Sequence, residues 1–177
     1  YKEVRVDKLP ENLRQPLLFR RGWASQASGD AATAITSLSQ WIDANPADPQ
    51  MPQALAKRGL AYKTTEDWKN SQADFDAIIE KFATSPVSEL AHEQSALVRG
   101  QRKDTAGMIA TFQALLKQFP NSRAAAEAHF WIGSGHFEGL GIPIGAGVAD
   151  HIDRVVVAPH GGQELVQGLH CFGRNLA

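Results

Sequence analysis

Residues 53–82 read QALAKRGLAYKTTEDWKNSQADFDAIIEKF, and this stretch decides the fold. Leu55, Gly59 and Tyr62 fall at i, i+4 and i+7, which places them on one face of a helix. Phe75, Ile78, Ile79 and Phe82 mark a second apolar stripe at i, i+3, i+4 and i+7. Between the stripes lies Thr64-Thr65-Glu66-Asp67. Its side-chain oxygens suit the start of the next helix, where the first backbone N–H groups have no partner within the helix. The stretch predicts two consecutive helices joined by a short turn.

Moving outward in steps of 37 residues, the same pattern returns on both sides. Gly59 has counterparts in Gly22, Ala96 and Gly133, and Phe75 in Leu38 and Phe112. Ile78 matches Trp41 and Leu115, and Ile79 matches Ile42 and Leu116. Asp67 matches Asp30 and Asp104, and Ala91-His92 recurs as Ala128-His129. Units close at Asn45-Pro46, Ser85-Pro86 and Phe119-Pro120, because proline cannot continue a helix and restrains the residue before it. A small residue kept at 22, 59, 96 and 133 lets a partner helix come close. That is the better account of a glycine that costs roughly 1 kcal/mol against alanine inside a helix. The expectation is an all-α repeat array of seven or eight helices, with Phe75 and Phe112 in its core.

The residues that carry this period resemble tetratricopeptide repeats. They show a small residue in the first helix (A) of each pair and an aromatic three residues on (Tyr62). A small residue comes early in the second helix (B), at Ala34, with a large apolar one four later, at Leu38, Phe75 and Phe112. Pro46 and Pro120 close the units. The resemblance covers roughly residues 17–138; the family's usual period is about 34, so 37 here implies longer connections between units. It implies a right-handed superhelical solenoid of antiparallel helix pairs, with the A helices lining a concave surface that holds a protein or peptide. The family's groove positions fall here on Phe19, Trp23, Gln26, Leu60, Lys63, Glu93, Leu97 and Phe130, among others. Lys63 and Glu93 would orient the occupant. The lysine and asparagine set with which some members clamp a C-terminal carboxylate is lacking. Residues 116–133 further resemble the bacterial envelope branch of the family, of the Tol–Pal and outer-membrane-assembly lipoprotein types, which implies a periplasmic or envelope-associated protein.

Eighteen basic residues against nineteen acidic ones give a net charge of −1. That balance argues against a nucleic-acid partner, which requires a basic surplus. No apolar run has the length of a membrane span. Cys171 is the single cysteine and allows no internal disulfide. His151, His160, His170 and Cys171 are spaced by no common metal-ligand pattern. Gly141–Gly147 lacks the lysine of a phosphate-binding loop. No serine sits in a nucleophile elbow. The reading is therefore a non-catalytic interaction scaffold with no metal and no cofactor. The alternatives are a regulatory or substrate-recruiting segment of a larger enzyme or envelope complex, and self-association through exposed array ends.

The two ends depart from the repeat. Residues 7–16 echo 43–52 at a step of 36, and residues 1–16 read as the tail of a preceding repeat or a linker, so the chain reads as a piece of a longer array. From residue 139 onward the composition shifts toward glycine and histidine. A degenerate repeat with a capping helix and a non-native tail are the two readings of 139–177.

Overall fold

A computed structural model describes residues 8–139 of the 177. They form seven α-helices: α1 (Glu11–Ala27), α2 (Ala31–Ala44), α3 (Met51–Thr64), α4 (Trp68–Lys81), α5 (Ser88–Gln101), α6 (Thr105–Gln118) and α7 (Ala125–Gly139). No strand occurs among the described residues. Helices α2 to α6 are each 14 residues long. Turns within a pair span 28–30, 65–67 and 102–104, whereas connections between pairs span 45–50, 82–87 and 119–124 and are twice as long. These lengths together make the 37-residue period. The array boundary expected at residue 17 falls inside α1, which begins at Glu11 and carries Pro16 within it. Pro16 removes one backbone N–H donor, but Leu18 is buried against α2 and holds the helix in place across it. The tail residues discussed above, 140–177, lie outside the described residues.

The turn inside each pair is built alike. Gly29, Glu66 and Lys103 adopt φ of 82°, 57° and 61°. In this left-handed conformation the next N–H reaches back to the helix: Asp30 N–H donates to Ser25 O, Asp67 to Tyr62 O and Asp104 to Arg99 O, each at 2.9 Å. Those three aspartates then cap the following helix, accepting from the backbone N–H of Thr33, Asn70 and Gly107 at 3.1, 3.2 and 2.9 Å.

The connections between pairs also repeat. Asp48, Ser85 and Ser122 N–H donate to the carbonyls of Asn45, Phe82 and Phe119. Their side chains accept from Gln50, Val87 and Ala124 N–H two residues later.

Two seams hold the array. Within pairs, Leu38, Phe75 and Phe112 are all fully buried. A Cβ on Gly22 would lie 2.5 Å from Leu38 Cγ, so the approach of helix B demands that glycine; one on Gly59 would lie 3.0 Å from Phe75 Cζ, and the ring would have to give by a few tenths of an ångström. Ala96 fills the same register position, fully buried, beside Phe112. Gly133 meets nothing within 4 Å; its register partner, Ala149, lies outside the described residues. Between pairs, Trp41, Ile78 and Leu115 on the B helices are buried, as are Ala54, Ala91 and Ala128 at the starts of the following A helices.

A buried ion pair ties three helices: Arg58 Nε and Nη2 donate to Asp74 Oδ2 and Oδ1 at 2.9 and 2.6 Å, while Arg58 Nη1 donates to Ser39 Oγ. Burial raises the Asp74 carboxyl above its usual range, against the opposing pull of Arg58.

Candidate protein-binding groove

The A helices touch across units, α1 with α3 and α3 with α5, and no comparably close pairing joins the B helices. An array whose A helices are closer together than its B helices curves toward the A side. The A face is therefore the inner one, and clefts open between B helices on the outer one. One such cleft, of about 310 Å³, lies over His92 between α4 and α6 and includes Asp76 and Arg99. His92 is buried, with Nδ1 2.9 Å from Ser88 O and its ring against Phe119. Asp76 is held by Arg99 Nη2 at 2.8 Å and by Ser95 Oγ at 2.6 Å. The bonds of Asp76 to Ser95 and Arg99 brace α4 to α5.

The inner face presents the residues expected from the sequence unequally. Trp23 and Phe130 are 40% and 44% exposed, and with Leu13 they are the exposed large hydrophobics among the described residues. Phe19 and Leu60 are half-buried. Phe19 stands between Trp41, at 4.9 Å between ring centroids, and Trp23, at 5.7 Å. Leu97 does not open onto the groove. It is 6% exposed and joins the cluster of Ala96, Met108, Phe112, Ala128 and Trp131. The reason lies at position 131: Lys57 and Gln94 occupy this register in the preceding units, and here a buried tryptophan packs down in their place.

The polar residues of the inner face pair across units, with their chemistry reversed from one junction to the next. Lys57 Nζ donates to Gln26 Oε1 at 3.1 Å, and Lys63 Nζ donates to Gln94 Oε1 at 2.7 Å. Positions 26 and 63 are equivalent, as are 57 and 94. Lys57 also stands over the Trp23 ring, 4.5 Å from its centroid, as a cation–π pair. Burial lowers the pKa of both lysines; for Lys63 the nearby Glu93 and Glu127 carboxylates oppose that shift. Lys63, Glu93 and Glu127 therefore share one electrostatic neighbourhood on α3, α5 and α7. Pairing of these polar groups across units was missed in the sequence. Its one signal is that Gln26 and Lys63, and Lys57 and Gln94, are 37 residues apart with types exchanged.

The α1 end of the inner face holds a cavity of about 370 Å³, lined by Phe19, Arg20, Trp23, Ala24, Gln50 and Gln53. No group of three potential metal ligands occurs among the described residues. No helix among them is long and apolar enough to cross a membrane.

Residues 92–122, which span most of α5 and all of α6, match the family model described as tetratricopeptide repeat. No curated protein matches the chain in sequence. Among solved structures, the chain is similar to the Sgt2 TPR domain from Aspergillus fumigatus, at 17% identity and a TM-score of 0.54, over 88% of this chain and 91% of that one. Neither comparison supports the bacterial envelope branch. The described residues thus have the tetratricopeptide-repeat fold, and residues 92–122 match the family in sequence.

Proposed function

We propose that this chain is a non-catalytic scaffold that holds a peptide or protein segment along the inner face of its A helices. Tetratricopeptide domains generally mediate protein–protein interaction, and the fold carries that coarser statement. The observation that supports the finer one is the placement of Trp23 and Phe130. Folding buries Trp41, Trp131, Phe75 and Phe112, yet leaves these two aromatics exposed near opposite ends of one face. Aromatic residues in such positions supply a large share of binding energy at protein interfaces. Between them, Lys63, Glu93 and Glu127 give the face a mixed polarity suited to a segment with both charged and apolar side chains. The buried, shifted carboxylate that an enzyme site would call for is Asp74, but it is locked in its ion pair with Arg58 and lines neither cavity described above.

The test is recovery of bound proteins from native extract with this chain, with a Trp23→Ala, Phe130→Ala double variant as control. A partner recovered by the parent and lost by the control is then titrated directly. Trp23→Ala alone is expected to weaken it by about 2 kcal/mol, roughly 30-fold, with helicity unchanged by circular dichroism. Partner binding that survives both substitutions together would sink the groove reading. The placement of the protein in a bacterial envelope rests on the resemblance of residues 116–133 alone.

A further inference from the structure

We infer that the outer cleft between α4 and α6 is a second binding site, separate from the groove, which takes one arginine side chain of a partner protein. The floor of the cleft leads there. Positions 18, 55 and 92 share one register, and Leu18 and Leu55 fill it with buried apolar side chains. His92 stands there instead and is 3% exposed. Packing that leucine supplies in the two preceding units does not account for an imidazole here. Its Nδ1 lies 2.9 Å from Ser88 O. A carbonyl oxygen only accepts, so Nδ1 carries the hydrogen and, in the neutral ring, Nε2 is an acceptor. Nε2 has no partner among the described residues. Nor is it one of their enclosed unpaired atoms, which are Gln53 Oε1, Ser88 Oγ and Arg99 Nε. Nε2 therefore keeps an opening, and His92 forms part of the cleft lining.

The rest of the lining accepts as well. Thr111 Oγ1 donates its one hydrogen to Gly107 O at 2.8 Å and has only lone pairs left to offer. Glu80 lines the cleft, is exposed, and has no hydrogen bond or ion pair among the described residues. Asp76 is paired with Arg99, which also reaches Asp104. The lining thus sets the carboxylates of Asp76 and Glu80 against one guanidinium and is net negative. That charge repels an anion, and an apolar occupant would leave Nε2 and Glu80 without a donor. A cation with several N–H groups answers both conditions. The lysine ammonium is a compact, strongly hydrated charge, whereas the arginine guanidinium is planar, more weakly hydrated and carries five donors in a fixed fork. The acceptors here sit at two depths, Nε2 at the buried floor and Glu80 at the exposed rim. A fork spans them; a point charge serves one and must shed its water to reach the other. Ile79, Ala110 and Ala114 give the methylene stem an apolar, uncrowded wall. The volume of about 310 Å³ admits one such side chain.

The experiment is an NMR titration of the full chain with capped peptides, acetyl-Ala-Ala-X-Ala-Ala-amide, in which X is arginine, lysine or citrulline. The arginine peptide is expected to move the Nε2 signal of His92 saturably. Citrulline keeps the shape and loses the charge, so its peptide should bind about tenfold more weakly, with lysine between the two. Backbone amide signals of Gly107 and Thr111 read the same site in the variants. Glu80→Gln should weaken the arginine peptide about tenfold. His92→Leu, which copies Leu18 and Leu55, should keep its helicity and weaken that peptide to a similar extent. The peptide series needs no variant, so it decides the matter even if His92→Leu fails to fold. Trp23→Ala should leave the titration unchanged, because the groove lies on the other face. A lysine or citrulline peptide that binds as tightly as the arginine one would overturn the choice of occupant. Signals that move at Trp23 in place of His92, full binding to His92→Leu, or no saturable change would overturn the site, and each leaves the groove reading where it stands.

Discussion

Inside the helix pairs, the 37-residue step sets Gly22, Gly59 and Ala96 against Leu38, Phe75 and Phe112, and every one of the large residues is fully buried. On the inner face, the same step gives Phe19, Ala56, Glu93 and Phe130 at one position, and Trp23, Leu60, Leu97 and Ser134 at another. The seam repeats in kind; the face does not. Close packing punishes a change of even one methylene at the seam, so each unit keeps a small residue facing a large one. The face carries no such constraint and varies in size, charge and exposure. The chain is thus uniform along the seam that holds it together and varied along its inner face.

That contrast can be broken by measurement. Phe75→Ala and Phe112→Ala should each destabilise the fold by about 3–5 kcal/mol, the usual cost of emptying a buried phenylalanine site. Chemical denaturation that found either within about 1 kcal/mol of the parent would mean the seam is not where the stability resides. Gly22→Ala comes next. Its new methyl group meets Leu38 Cγ at 2.5 Å, and overpacking of this kind costs about 1–3 kcal/mol. That exceeds the gain of roughly 1 kcal/mol from replacing glycine in a helix, so the variant should melt below the parent. A higher melting temperature would show that Leu38 yields freely and that the glycine serves something other than close approach.

Asp67→Ala removes the cap on Asn70 N–H and should cost about 1 kcal/mol. That figure would measure a repeated feature that lies at a turn instead of in the seam. Smallest of all, Phe130→Ala and Ser134→Ala on the inner face should each stay within about 0.5 kcal/mol of the parent. Denaturation midpoints that fell as far as for Phe75→Ala would make the face a second structural seam.

The helices, the seam and the capping aspartates were legible in the sequence because each depends on contacts between residues close in the chain or on a strict register. A glycine at 22 and a leucine at 38 imply one another through packing of neighbours within one pair. The groove was legible only in part. Trp23 and Phe130 lie exposed on the face to which register assigned them, but Leu97 is buried because Trp131, 34 residues further on, packs down where its counterparts are polar. Register says which way a side chain points from its own helix and nothing about what the next helix lays over it. The turn bonds of Asp48, Ser85 and Ser122 went unnoticed because aspartate and serine serve one role in two chemistries, which hides the repetition from a search for like residues.

The exchange of lysine and glutamine between the junctions has a consequence for how such an array can grow. Tandem copying is the simplest way to lengthen a repeat protein. If the unit holding α3 and α4 were duplicated next to itself, Lys63 of the first copy would face Lys57 of the second, two ammonium groups where each now has an amide. The other side of the same junction would accept the duplication, since Asp76 of the first copy would fall beside Arg58 of the second, in the register where Ser39 now meets Arg58. The unit with α1 and α2 brings Gln26 and could precede either of its neighbours without such a clash. The order of units in this chain is thus written on its inner face as a grammar: some successions are permitted, and the repetition of the middle word is not.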